Sequence, residues 1–253
     1  MMDQHHWIFL SPHFDDVALS CGGLVWNLSQ QGDRIEIWTI MGGFPPDNQY
    51  SDFAEQMHQE WGTSGRETIL IRRAEDQAAC QVLGAQPRHF PWPDAIYRRD
   101  NQSGKHIVKD NQTLFNEQPE DALLDELLKM LEEQVPEDAK LVCPMGLGNH
   151  IDHRTVHLSL KQSALTRLFY ADYPYILNNF ANLDANCSGY VKLPLIPSQD
   201  SLKAWQDAVL CYGSQLSMFW RDEQETRLAL RNYIAGGGGR LWQRKKRRLD
   251  RRN

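Results

Sequence analysis

The chain has 253 residues, of which 41% are hydrophobic and 24% are charged, as in a globular protein with a full-sized core. These values exclude a disordered chain, a collagen-like chain and a small disulfide-stabilised protein. The formal charge of −6 is unevenly spread, because residues 240–253 hold eight basic residues and one acidic residue and leave −13 on the rest. This acidic body argues against broad nucleic-acid binding, which depends mainly on Lys and Arg contacts with phosphates.

The first predicted elements form a βαβ unit. A short apolar strand over residues 7–11 ends at Pro12, helical periodicity follows over residues 17–32, and a second strand begins at residue 34. A parallel crossover of this length is typical of a doubly wound α/β sheet. We therefore predict an α/β fold with a mostly parallel sheet.

Further helices and strands alternate along the rest of the chain. Residues 42–65 are predicted as a loop with one short helix, and residues 86–106 as an irregular surface segment because of their prolines. The remaining helices are predicted over residues 66–84, 119–135, 150–165, 201–219 and 221–235, a further strand over residues 140–145, and a strand followed by a loop over residues 167–175.

The chain shows neither a repeat nor an internal linker. We predict a single domain over residues 1–243 and a basic tail over residues 244–253, which we interpret as a solvated helix or arm. Contact with an anionic membrane through this tail is the less favoured interpretation, and the domain itself is not expected to bind nucleic acid. A homo-oligomer is compatible with the sequence.

Targeting features point to the compartment. No run approaches the roughly 20 consecutive apolar residues of a membrane span, and the amino-terminal residues lack the regions of a secretory signal. The five cysteines are widely spaced and form no Cys-x-x-Cys pair. We expect an unexported, cytoplasmic protein.

Two clusters of histidine and aspartate follow predicted strands. They are His13, Asp15 and Asp16 after the first strand, and His150, Asp152 and His153 after the strand over residues 140–145. Open α/β sheets bind their ligands at the carboxyl ends of the strands. Imidazoles and carboxylates gathered there are the ligands that a catalytic divalent metal uses. A helix cap or surface histidines would explain either cluster alone, but their joint occurrence favours a metal site.

The residue types indicate several catalytic roles, but they leave open which residue of each pair takes which role. One of Asp15 and Asp16 would bind the metal, and the other would accept a proton from the attacking water. One of the histidines at 150 and 153 would be a ligand, and the other would donate to a developing oxyanion. Asp152 could orient or charge an imidazole.

The two clusters resemble motifs of the PIG-L/LmbE-like N-deacetylase family. The segment SPHFDDVALSCGG is similar to that family's P-H-x-D-D motif, GNHIDHRTVH to its H-x-D-H motif, and RRAEDQAACQVLGA to its helix with an R-x-x-E pattern. The similarity covers most of residues 7–215. It implies a Rossmann-like three-layer α/β/α fold. It also implies hydrolysis of the N-acetyl group of an N-acetylglucosamine-type sugar or glycoconjugate, with Zn²⁺ or another divalent metal such as Fe²⁺.

The resemblance also implies roles for individual residues. His13, Asp16 and His153 become the metal ligands, and Asp15 becomes the general base. His150 becomes the imidazole that stabilises the oxyanion or protonates the departing amine.

Four further positions complete the comparison with the family. The resemblance makes Asp152 the partner of a histidine, and it makes Arg72 a contact to substrate hydroxyls or phosphate. Phe14 and Val17 replace the proline and glutamate of the commonest pattern, which leaves the substrate preference open.

Two other functions remain open on the sequence. A metal-dependent amidase acting on a thiol–sugar conjugate would use the same catalytic groups, and a non-catalytic sugar- or nucleotide-binding module would use only the scaffold. Trp61 and Trp92 fall in predicted loops and are expected to line the substrate site, whereas Trp7, Trp26 and Trp38 are expected to pack in the core.

Overall fold

Seven strands form one sheet in the computed structural model, which describes residues 4–161, 163–165, 167–176, 183–194 and 198–245. The strands are β1 (His6–Ser11), β2 (Arg34–Thr39), β3 (Gln86–His89), β4 (Lys140–Pro144), β5 (Arg167–Tyr170), β6 (Tyr190–Lys192) and β7 (Leu241–Arg244). Their order across the sheet is β3-β2-β1-β4-β5-β7-β6. The first five are parallel, and β7 runs antiparallel to both of its neighbours. The predicted mostly parallel sheet is confirmed.

Helices connect and cover these strands. They are α1 (Asp16–Gln30), α2 (Asp52–Trp61), α3 (Gly65–Leu83), α4 (Asn111–Asn116), α5 (Asp121–Gln134), α6 (Ile151–Ser159), α7 (Leu183–Asn186), α8 (Gln199–Val209), α9 (Gly213–Leu216) and α10 (Glu223–Ala235). None of these helices is long and apolar enough to cross a membrane.

Strand β1 is buried on both faces of the sheet. Its side chains alternate, so that Ile8 and Leu10 join one hydrophobic cluster and Trp7 and Phe9 join another. The first cluster includes apolar residues of α5 and α6, and the second includes those of α1 and α3. A continuous apolar strand is what a parallel sheet covered on both faces requires. The three-layer α/β/α arrangement follows from this sequence pattern.

The prediction of irregular structure over residues 86–106 was wrong in part. Residues Gln86–His89 form β3, and Ala95–Tyr97 form a 3₁₀ turn. β3 is an edge strand that pairs only with β2 among the described strands, and its alternate residues are exposed. It therefore lacks the apolar run by which a central strand is recognised, and an edge tolerates Pro87.

Other element boundaries also differ from the prediction. Helix α6 ends at Ser159 rather than near residue 165, and α4, α7, β6 and β7 were not predicted. Strand β7 includes Arg244, the first residue of the predicted basic tail, while residues 246–253 of that tail lie outside the described residues. The five cysteines, all of which lie in the described part of the chain, form no disulfide bond.

Helices α1 and α8 approach closely because two glycines face a tryptophan. The indole of Trp205 in α8 lies against Gly22 and Gly23 of α1 and donates a hydrogen bond to the carbonyl of Ala18. A Cβ at position 22 would lie 2.7 Å from Trp205 Cδ1. Since α1 begins at the cluster of residues 13–16, this packing supports the position of that cluster.

The Gly22→Ala variant is expected to lower the free energy of unfolding by about 1–3 kcal/mol, the usual cost of overpacking a filled core. Urea denaturation measures this difference. The matched control is Gly189→Ala, because a Cβ at that position meets no described atom within 4 Å. The control should stay within about 0.5 kcal/mol of the wild type. Equal stability of the two variants would contradict the close packing.

Candidate active site

A cavity of about 200 Å³ opens beside the loops that follow β1 and β4. We call its charged and imidazole lining residues the floor, and its other lining residues, which are largely apolar, the walls. The floor residues are His13, Asp15, Arg72, Asp94 and His150, and the other lining residues are Phe53, Met57, Trp61, Ile96, Asn111, Leu114, Phe115, Tyr175, Gln215, Met218 and Phe219. Both predicted clusters therefore meet at one edge of the sheet, as the rule for open α/β sheets requires.

The loop after β4 delivers the second cluster through left-handed backbone. Gly146, Gly148 and Asn149 have φ angles of 73°, 82° and 66°. A side chain at position 148 would also collide with Tyr175, whose Cβ lies 2.5 Å from the place of an added Cβ. Glycine is therefore required at position 148 both for conformation and for space. The turn ends at His150, the N-cap residue of α6.

His153 is held as metal-ligating histidines usually are. Its Nδ1 donates to Asp172 Oδ1 at 2.7 Å, and its Nε2 lies 3.2 Å from Asp16 Oδ1. That Nε2 is buried and makes no hydrogen bond within the part of the chain that the structure describes. A carboxylate behind the imidazole fixes its tautomer and points the free nitrogen at the site of an ion.

His13 is also held between two carboxylates, but the roles of its two ring nitrogens are exchanged relative to His153. Its Nε2 donates to Asp152 Oδ2 at 3.0 Å, and its Nδ1 lies 3.3 Å from Asp16 Oδ2. Burial alone would lower the pKa of His13, but Asp94, Asp152 and Asp16 outweigh it and raise that pKa well above its usual value. Asp16 thus lies between the two imidazoles, each of which is braced by an outer carboxylate.

The local charge suits a divalent cation. Five buried carboxylates lie in and around this centre, those of Asp15, Asp16, Asp94, Asp152 and Asp172, and two buried guanidinium groups, Arg72 and Arg98, accompany them. Burial would raise the pKa of Asp16, but His153 and His13 hold it well below its usual range, so the group stays ionised. Nitrogen atoms of His13, His150 and His153 also lie within 4.8 Å of one another. The unpaired His153 Nε2 and this donor set fit a bound metal.

Asp15 lies on the cavity floor next to these ligands. It is the N-cap residue of α1, and its Oδ1 is 3.6 Å from an Nη atom of Arg72. Burial raises the pKa of Asp15, and Arg72 offsets part of that increase. A carboxylate with a raised pKa beside a cavity can accept a proton near neutral pH.

His150 is a neutral imidazole at the other side of the floor. Burial, together with His13 and His153, holds its pKa well below the usual value. Its Nδ1 accepts a hydrogen bond from the Asp152 backbone N–H at 3.2 Å. The proton of the neutral ring therefore lies on Nε2, which makes this nitrogen the donor available to a ligand.

Asp152 connects the centre to a buried arginine. Its Oδ1 accepts from Arg98 Nη1 at 2.6 Å, and its Oδ2 accepts from the Ala95 backbone N–H at 3.0 Å as well as from His13. Arg98 also pairs with Glu120 at 2.9 Å. Burial would raise the pKa of Asp152, but Arg98 and His13 hold it far below the usual value. Asp152 is the partner of His13 through its side chain and of His150 through its backbone.

The structure brings together all seven residues that the sequence singled out. Three others were missed: Asp94, Arg98 and Asp172. Asp172 follows β5 by two residues, so the strand-end rule could have found it, whereas the residues near 94–98 belong to a loop whose sequence carries no comparable signal. Phe14 and Val17 are buried in the core.

The tryptophan predictions have a mixed outcome. Trp61, at the end of α2, lines the cavity. The expectation for Trp92 was wrong, because its ring stacks on Phe90 and packs against the core of the sheet instead. Trp7 and Trp38 are buried as expected, while Trp26 is half-buried.

The fold and the cluster together define a class of protein: a Rossmann-like enzyme whose imidazoles and carboxylates form the floor of a cavity at the carboxyl edge of the sheet. A family profile described as GlcNAc-PI de-N-acetylase, PIG-L, matches residues 8–164. The chain belongs to the PIG-L family, and it is a hydrolytic N-deacetylase.

Named relatives agree with this assignment. The chain is 30% identical to the 2'-N-acetylparomamine deacetylase of Niallia circulans over 244 residues, which cover 89% of this chain and 86% of the relative. The corresponding enzyme of Streptomyces fradiae is 26% identical over 181 residues, covering 66% and 57%. Among solved structures, the zinc-inhibited form of teicoplanin deacetylase has the same fold, with a TM-score of 0.71 and 22% identity over 96% of this chain and 99% of that chain.

Proposed function

We propose that this chain hydrolyses the N-acetyl group of an N-acetylglucosamine-type sugar or glycoconjugate, with Zn²⁺ held by His13, Asp16 and His153. The observation that carries the proposal is the placement of Asp15 and His150 on one cavity floor, beside that ligand set. The names of the Niallia circulans and Streptomyces fradiae relatives, which describe deacetylases of an acetylated amino sugar, support it.

The three ligands match the chemistry of zinc. Two imidazole nitrogens and one carboxylate form the kind of three-residue set that leaves a position open for reaction, and the same donors also suit Fe²⁺. When bound, a divalent cation polarises the acetyl carbonyl and makes water easier to deprotonate. Asp172 and Asp152 keep the two imidazoles oriented for this role.

Asp15 is the proposed general base. Its carboxylate lies on the cavity floor, where it accepts a proton from water as the water oxygen attacks the acetyl carbon. Because burial raises the pKa of Asp15, the group holds that proton more readily than an exposed aspartate would. The protonated carboxyl can then deliver the proton to the nitrogen as the C–N bond breaks, which yields acetate and a free amine.

His150 is the proposed oxyanion donor. Its Nε2–H is directed to the ligand side because Nδ1 is occupied by the Asp152 backbone N–H. A preorganised donor of this kind stabilises the negative charge that develops on the carbonyl oxygen. Arg72, whose guanidinium lines the same floor, is proposed to contact substrate hydroxyls.

Acetate release by the full chain tests the function. The protein is stripped with a chelator, and acetate is measured from a panel of N-acetylglucosamine glycosides before and after Zn²⁺ is added. We expect activity below about 1% without metal and recovery with it, as metal-assisted hydrolysis requires. Full activity of the stripped protein would contradict the mechanism. Cleavage of only larger thiol–sugar amides would favour the amidase, and sugar binding without either product would favour a binding module.

A further inference from the structure

The side chains that line the cavity fall into two chemical groups. The charged and imidazole residues form the floor, where the reaction is proposed to occur. Among the described residues, the other lining side chains are apolar except for the uncharged Asn111, Gln215 and Tyr175. The apolar wall, defined here as Met57, Trp61, Phe115, Met218 and Phe219, is half-buried or exposed, so that it remains accessible to a ligand.

The cavity has room for little more than one sugar. A volume of about 200 Å³ is smaller than the roughly 300–1,000 Å³ of sites that enclose a drug-sized ligand. One sugar ring with its acetyl group next to the floor residues would occupy most of that space. The group attached to the sugar, the aglycone, would then contact the solvent-facing parts of the wall residues, which line the cavity but are only half-buried or exposed.

The wall is organised before any ligand arrives. The indole N–H of Trp61 donates to Met218 Sδ at 2.8 Å, which joins the end of α2 to the segment after α9. The ring of Trp61 is also 6.1 Å from that of His58, which hydrogen-bonds Tyr97 at 2.8 Å. Contacts that hold both sides of the wall reduce the entropy lost when a ligand binds.

A cationic aglycone is poorly matched to this surface. No carboxylate lies on the wall, and the floor carboxylates of Asp15 and Asp94 already face Arg72 and His13. A cation placed on Trp61 would also be repelled by the Arg72 guanidinium, which lies 5.7 Å from the centroid of that ring. An ammonium group placed here would lose hydration without gaining a partner.

We infer that the substrate carries an apolar aglycone, an aryl or alkyl group that packs on the apolar wall. This inference rests on the proposed function and assigns a substrate class to the same site. An aryl aglycone gains from burial and from aromatic contact with Trp61 and Phe219, whereas a methyl group or a polyamine gains little.

The test compares three probes with the zinc-loaded full chain. They are the phenyl and methyl β-glycosides of N-acetylglucosamine and the polyamine 2'-N-acetylparomamine. We expect kcat/KM for acetate release from the phenyl glycoside to exceed that for the other two by roughly 10- to 100-fold, mostly through KM, because burying a phenyl group contributes that much. Equal values, or a preference for the polyamine, would overturn the inference and leave the proposed function standing. Absence of acetate from every probe would instead overturn the proposed function.

Variants of the wall provide the second arm. Met218→Glu, at a side chain that is 43% exposed, should fold normally and place a carboxylate on the wall. We expect it to lower kcat/KM for the phenyl glycoside by roughly tenfold and to raise that for the polyamine. Leu228→Glu, at an exposed leucine of α10 outside the cavity, is the matched control and should leave the ratio unchanged. An unchanged ratio in Met218→Glu would contradict the inference.

Discussion

Asp15→Asn is expected to lower kcat for acetate release by about 10²- to 10⁴-fold, the usual contribution of a positioned general base. The amide has the shape of the carboxylate but cannot accept the proton of water. Asp15 is not one of the proposed metal ligands, so the variant should still bind one zinc ion per chain. Steady-state kinetics and metal analysis of the purified variant measure both quantities.

The control for this variant is Asp125→Asn, a change of the same size at an exposed position of α5. It should retain the activity of the wild type. If Asp15→Asn kept its metal and lost less than about threefold in kcat, another group would have to act as the base. Loss of metal together with activity would indicate that Asp15 is a ligand instead.

Arg98→Met is expected to lower the free energy of unfolding by about 3–5 kcal/mol, because it leaves a buried carboxylate without its partner. The Asp152 side chain is 0% exposed, and Arg98 is its guanidinium partner at 2.6 Å. Since Asp152 also braces His13, acetate release should fall as well. Urea denaturation of the metal-free protein measures the stability without a contribution from bound zinc.

Two further variants separate this ion pair from a general effect of losing an arginine. Arg221→Met removes a guanidinium whose side chain is 87% exposed and which pairs with Glu225 at 3.1 Å, and it should cost about 0–1 kcal/mol. Combining Arg98→Met with Asp152→Asn should cost less than the sum of the two single changes, because the unpaired charge is then removed. Strict additivity would contradict the role assigned to the pair.

Much of this fold could be predicted because the central strands of a parallel sheet have a simple sequence pattern. Central strands β1 and β4 appear as short apolar runs, since both of their faces are buried. Edge strand β3 is half-exposed, and β7 has only four residues, of which two pair with β5. Such elements are determined by their neighbours in the folded chain, and the local sequence does not reveal them.

The part of the site that follows central strands could also be predicted from the sequence. His13, Asp16 and His153 follow central strands, so one rule about strand ends brings them together. Asp94 and Arg98 reach the site from the proline-containing segment that follows β3, and their contacts with His13 and Asp152 depend on tertiary packing. The positions of Asp94 and Arg98 beside the proposed metal site therefore became known only from the structure.

We propose that a single metal ion, held by His13, Asp16 and His153, is required for deacetylation by this chain. The rate of acetate release from the phenyl glycoside, measured while Zn²⁺ is titrated into the metal-free chain, tests this requirement. We expect a linear rise in rate that ends at one equivalent of zinc per chain, and no rise in His153→Ala. Acetate release that does not depend on zinc, or that His153→Ala retains, would contradict it.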